Sequence, residues 1–272
     1  VNGELANVIA LALHGSAWLA DPSGPPPELE RTSSTFQFVG AFQVEPPPRR
    51  WKRDATMDGA TWFRWLREQG VERLWLATPD RVRGPLAPHV GAAFANGGQW
   101  AVLATGRRSS VWVPRWEVGD AHRADRRIWD VRLVGSWAEG VAPPQRAPVG
   151  TALAGLTTVL EAAEALAREQ DLDSWATWFA GALEQARSGH AEIPYHADMA
   201  PCPPVTPEAR HLLGVAARSW VFGGMGSWND VWMQDDEAQA RYDAVTGALY
   251  RAVVDACVVA TNADLDRSAA AR

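Results

Sequence analysis

Lysine is nearly absent from this chain: of 26 basic residues, Lys52 is the single lysine and the rest are arginine. The bias fits the codon supply of a high-GC genome, which also favours Ala, Gly and Pro, and it points to no function. Cysteine is equally scarce. Cys202 and Cys257 are too few for a disulfide framework or a Cys-rich zinc site. Cys257 falls in the apolar run 253–260 and reads as a buried, inert thiol, so a reducing cytoplasm is the expected compartment. No long apolar run opens the chain, because 8–13 is far short of the roughly 20 residues that cross a bilayer. No charged segment with a small-residue cleavage site precedes it, so neither a signal peptide nor a membrane partner is expected. The G-x-S-x-G elbow of serine hydrolases is missing, and so is a strand-borne phosphate loop with its lysine.

What is present is tryptophan, 15 of them against 7 Phe and 3 Tyr, in a chain of ordinary globular composition, 47% apolar and 21% charged. Charge is unevenly placed. Residues 1–148 carry 18 basic and 15 acidic side chains, a net of about +3, whereas residues 149–272 carry 8 and 17, a net of about −9. The acidic half is unsuited to a nucleic-acid groove, which needs a basic face. Prolines 143, 144 and 148 divide the chain into a strand-rich region, 1–148, and a helical region, 149–272, which can also form one continuous domain.

In the first region the pattern predicts a helix over 4–19, a strand carrying Phe36, Phe38, Phe42 and Val44, a helix over 59–69 and a strand over 71–77. A short helix near 86–95 precedes strands over 99–105, 110–118 and 128–137, whose short connections predict an antiparallel meander. The second region predicts helices over 151–170, from Asp173 or Ser174 to Gly189, from Thr206 to about Phe222, and over 235–262. The expected fold is α+β: an N-terminal mixed sheet ending in a three-stranded antiparallel meander, with a C-terminal four-helix region packed on it.

The most distinctive segment joins the last two helices, running from Trp220 through Gly223, Gly224, Met225, Gly226, Ser227, Trp228, Asn229 and Asp230. Gly224 to Ser227 can offer backbone N–H groups to an anion, with Asn229 and Asp230 as polar contacts. The simpler reading is a Gly-rich corner pinned by Trp220, Trp228 and Trp232. This segment, with the Tyr-containing helix that follows, resembles the C-terminus of uncharacterised proteins from high-GC bacteria. The resemblance covers roughly the last 60 residues, implies a bacterial source and implies no activity.

Other candidate chemistry is dispersed. His190, Glu192, His196 and Asp198 fall within nine residues of a Pro-rich loop, with Cys202 and His211 nearby. They are catalytic candidates by residue type. His190, His196 and Asp198 are of the types that ligate zinc, although their spacing matches no established zinc pattern and no metal site is expected. Cys202 with His196 or His211 is a conceivable nucleophile and base. Trp51 stands among Arg49, Arg50, Lys52 and Arg53, where it can stack on a nucleic-acid strand or pack on the core; the second is favoured. Trp112 and Trp116 share a strand face and form either core or an aromatic wall for a ligand. No cofactor is indicated, and the expected partner is a protein or a small molecule. The favoured function is a binding or interaction protein, an immunity, accessory or defence component docking through its acidic half. The alternative is a hydrolase or metal-assisted lyase built from the 190–198 loop and the 224–230 corner.

Overall fold

Asn2 opens the first helix by accepting the N–H of Leu5 on its side chain at 2.9 Å, and α1 (Gly3–Ala20) follows. Thirteen of its 18 residues are buried, which suits a helix apolar on nearly every side. In the computed structural model, which describes residues 1–48, 55–78, 87–98 and 100–266, this helix lies between the sheet and the helical region. Gly15 permits the approach: a Cβ there would stand 2.5 Å from both Leu74 and Phe63.

The sheet has five strands, β1 (Val39–Glu45), β2 (Val71–Ala77), β3 (Ala101–Gly106), β4 (Ser110–Val118) and β5 (Trp129–Trp137), in the order β1-β5-β4-β3-β2. The meander is antiparallel, as the short connections require. β1 pairs with β5 in parallel, which makes the sheet mixed. The first strand begins later than the aromatic alternation predicts. Ser33 captures the N–H of Thr35 with its side chain, so 34–36 turn as a 3-10 helix and Phe36 enters the core from it. Two short helices, α2 (Leu29–Thr32) and α4 (Pro88–Gly91), lie in the connections.

α3 (Gly59–Glu68) is capped by Asp58, whose side chain accepts the N–H of Thr61. It covers the inner sheet face. Trp62 and Trp65 meet Trp112 edge-on at 5.2 and 5.5 Å. The face carrying Trp112 and Trp116 is therefore covered, with α3 lying on Trp112, and both rings are core. They form no wall open to a ligand. The outer face of β1, β5 and β4 is wet, and Arg132 pairs there with Glu45 at 3.5 Å and with Glu117. Trp51 and the arginines beside it lie outside the described residues.

The helical region comprises α5 (Val149–Glu169), α6 (Asp173–Ser188), α7 (Pro207–Arg218) and α8 (Asp236–Asn262). Leu172, without a side-chain cap, stands where Asp173 or Ser174 was expected, Thr206 caps α7 as predicted, and Asp235, expected as the first residue of the last helix, is instead its N-cap. α7 stops at Arg218, short of Phe222. By length and composition α5 and α8 could each cross a membrane, a test that the core helix of a globular protein also passes. Here they pack on each other, and Glu161–Arg187 and Glu169–Arg241 ion pairs tie α5 to α6 and α8. Buried side chains from both regions join in one core cluster.

Candidate functional site

The chain between α7 and α8 is irregular, yet nearly every residue in it is fixed. Trp220 donates its indole N–H to the Phe222 carbonyl at 2.7 Å, and both rings pack on Tyr250. Ser227 caps a 3-10 turn at 228–230. Trp228, fully buried, packs edge-on against Trp175 and Phe179 and donates to Thr246 Oγ1 at 2.8 Å, while the Tyr242 hydroxyl donates to its carbonyl. Asn229 Nδ2 reaches the His89 carbonyl at 3.2 Å. Met233 N–H is taken by Gln239 Oε1 at 3.0 Å.

Gly226, at φ +83°, sits in the left-handed region that favours glycine. Its N–H donates to Asp230 Oδ2 at 2.6 Å, and the Ser227 N–H donates to the Gly224 carbonyl at 3.1 Å. The corner thus supplies its own carboxylate at a donor that the alternative reading assigned to an external anion. Asp230 would have to be displaced before these donors could bind one.

Two side chains depart from this economy. Met225 is fully exposed and Trp232 is 85% exposed. Trp232 is therefore no anchor, and the pins are Trp220 and Trp228, helped by Tyr242 and Tyr250. Asp235, Asp236 and Glu237 follow within five residues of Trp232, all three exposed. The result is a rigid corner that projects a methionine and a tryptophan beside a cluster of carboxylates.

The Pro-rich segment 190–205 forms a second, separate assembly. His190 and Glu192 are exposed and point to no shared site. His196 and Asp198 instead meet Ser34, whose N–H donates to Asp198 Oδ2 at 2.7 Å and whose hydroxyl donates to Asp198 Oδ1. His196 Nδ1 lies 3.2 Å from the same hydroxyl, and His14 Nε2 bonds the Asp198 carbonyl at 2.8 Å. Because Ser34 already donates to the carboxylate, His196 serves it as a donor and not as a base. Burial lowers the pKa of both histidines. Burial raises that of Asp198, but the Ser34 hydrogen bonds outweigh it and leave the carboxyl below its ordinary value. Arg210 adds bonds to the Ala200 and Ala197 carbonyls. The arrangement fastens an arm to the core.

Cys202 is exposed, and neither histidine is bonded to it: His196 faces Ser34, and His211 bonds the Gln185 carbonyl at 2.9 Å. Burial pushes the Cys257 thiol up to about 12. Among the described residues no three His, Cys, Asp or Glu side chains gather as a metal ion requires.

The corner and the arm do not converge. Asn2, at the start of α1, bonds the Ala92 carbonyl beside α4, the helix that receives Asn229. His14, twelve residues on, meets the arm, and no hydrogen bond or ion pair among the described residues joins the arm to the corner. Ser34 has nothing in its local context to distinguish it, and Ser16, which follows His14 and Gly15, lacks the strand-to-helix setting of a nucleophile; in the fold it bonds the Leu74 backbone. No family model, no curated protein and no solved structure matches the chain.

Proposed function

We propose that the protein works by binding another protein, with Met225 and Trp232 as the contact residues and the carboxylates of Asp235, Asp236 and Glu237 at the rim. The observation that carries this reading is the pairing of full exposure with rigidity at the corner. A large apolar side chain left in water on an otherwise satisfied loop gains nothing for folding, whereas a partner that covers it recovers its burial. Tryptophan, of few rotamers, concentrates binding energy at interfaces, and methionine adapts to irregular pockets. A backbone held in place before binding loses little entropy on association. The acidic rim selects a partner with an apolar cleft edged by Arg or Lys, and it steers that partner by charge.

The test uses the whole protein as bait, identifies the partner, and measures affinity with purified components. Changing Met225→Ser and Trp232→Ser together should weaken binding at least about tenfold while leaving thermal stability unchanged. Reversing Asp235, Asp236 and Glu237 to lysine should slow association most at low salt. A partner that binds the double variant and the charge-reversed protein as tightly as the parent would remove this face from consideration.

A further inference from the structure

A different surface, at the β1 edge of the sheet, holds a cavity of about 310 Å³ lined by Phe38, Ala121, Arg123, Arg126, Ile128 and Trp129. Its walls are set by strand pairing. Trp129 begins β5 and donates its N–H to the carbonyl of Phe38, the residue just ahead of β1, at 3.1 Å, which sets the two aromatic residues side by side. Phe38 is 48% exposed and Trp129 half-buried, the latter backed edge-on by Trp116 at 6.0 Å.

The loop between β4 and β5 supplies three arginines in five positions, and two of them are committed to holding the loop. Arg123 grips Asp125 with two hydrogen bonds, Nε to Oδ1 at 3.0 Å and Nη2 to Oδ2 at 2.7 Å, and thereby holds that carboxyl well below the usual range. Arg127 donates to the Val39 carbonyl at 2.6 Å and the Glu30 carbonyl at 3.1 Å, stapling the loop to β1 and α2. Arg126 makes no side-chain hydrogen bond or ion pair with any described residue. Its backbone sits at φ +60°, an unusual conformation for arginine, and its residue lines the cavity.

We propose that this cavity binds a small planar aromatic carboxylate, its ring against Phe38 and Trp129 and its carboxylate on Arg126. The volume falls at the lower end of the range for small-molecule sites, roughly 300 to 1,000 Å³, and suits one or two fused rings. Half-exposed aromatic walls reward a flat apolar ligand. One uncommitted guanidinium matches one carboxylate in bidentate fashion. A nucleic-acid strand would need a longer basic track, and a free phosphate would leave the aromatic walls unused.

Calorimetric titration with naphthoate, and with naphthylmethanol as its uncharged counterpart, decides the matter. Naphthoate should bind with a Kd near or below about 1 mM, and the alcohol about tenfold more weakly. Arg126→Asn, which tolerates a positive φ and keeps the loop folded, should abolish the preference for the acid and leave the alcohol unaffected. Phe38→Ala, at a half-exposed position, should weaken both ligands alike. The proposal is overturned if naphthoate shows no binding to the parent protein at about 1 mM, if acid and alcohol bind equally, or if Arg126→Asn keeps the preference.

Discussion

Asn262, the last residue of α8, exchanges two hydrogen bonds with the backbone of Leu76 in β2: the Leu76 N–H donates to Asn262 Oδ1 and Asn262 Nδ2 donates to the Leu76 carbonyl, each at 2.9 Å. Two residues earlier the Ser16 hydroxyl does the same for Leu74, accepting its N–H at 3.0 Å and donating to its carbonyl at 2.9 Å. β2 is an edge strand, and alternate residues present their backbone groups away from β3. Side chains from α1 and α8 thus stand in for a missing sixth strand at Leu74 and Leu76. The same contacts join the sheet to both the central helix and the last helix.

Removing the amide should expose how much rests on it. Asn262→Ala leaves a buried N–H and a buried carbonyl unpaired, which costs about 2 to 6 kcal/mol at 1 to 3 kcal/mol for each group. Ser16→Ala unpairs the corresponding two groups of Leu74 and should cost a similar amount. Urea denaturation of both variants measures this. A loss below half a kcal/mol in both would show that water replaces the side chains at this edge.

Regular elements were legible in the sequence wherever period and punctuation agreed. α3 is bounded by Asp58 and Gly70, and β4 and β5 alternate cleanly, so their limits fall within a residue of expectation. Side-chain replacement of a strand was not legible, since Ser16 and Asn262 are ordinary residues on helices until the fold brings them to β2. The same holds for Asp198, which caps a turn 164 residues away. At the corner, composition singled out the segment, but spacing could not separate the buried Trp228 from the exposed Trp232. Trp228 lies inside a capped 3-10 turn, whereas Trp232 follows in extended chain after Val231.

Glu4 gives a second test. It is buried on α1, accepts the N–H of Asn96 at 2.6 Å, and burial raises its pKa to about 7. A raised carboxyl pKa stabilises the fold below the unfolded value near 4.5 and loses that contribution as pH rises toward 7. Glu4→Gln keeps the hydrogen-bond acceptor without the charge. It should raise stability at pH 8 by on the order of 3 kcal/mol and change little at pH 4. Equal stability of parent and variant at pH 8 would mean that Glu4 is ionised there without penalty.

The arm should respond to pH in the opposite sense. His14, half-buried, and His196, buried, have lowered pKa values, so the folded chain binds fewer protons than the unfolded chain just below pH 6.5. Their contribution is present above the unfolded value and is lost as pH falls through it, whereas Asp198, whose pKa is also lowered, loses its contribution only below about 3.8. Measured in a Glu4→Gln background, which removes the opposing slope, stability should decline between about pH 7 and pH 5, and His196→Asn should flatten part of that decline. Asp198→Ala should cost about 1 to 2 kcal/mol at neutral pH, because Ser34 loses both partners for its N–H and hydroxyl. It should also raise amide hydrogen exchange across 190–205 without affecting the corner at 223–233. The two assemblies are fixed by different contacts, one by Ser34 and His14 and the other by Thr246, Tyr242 and His89. Exchange that rose equally in both segments would show that the arm and the corner open as one unit.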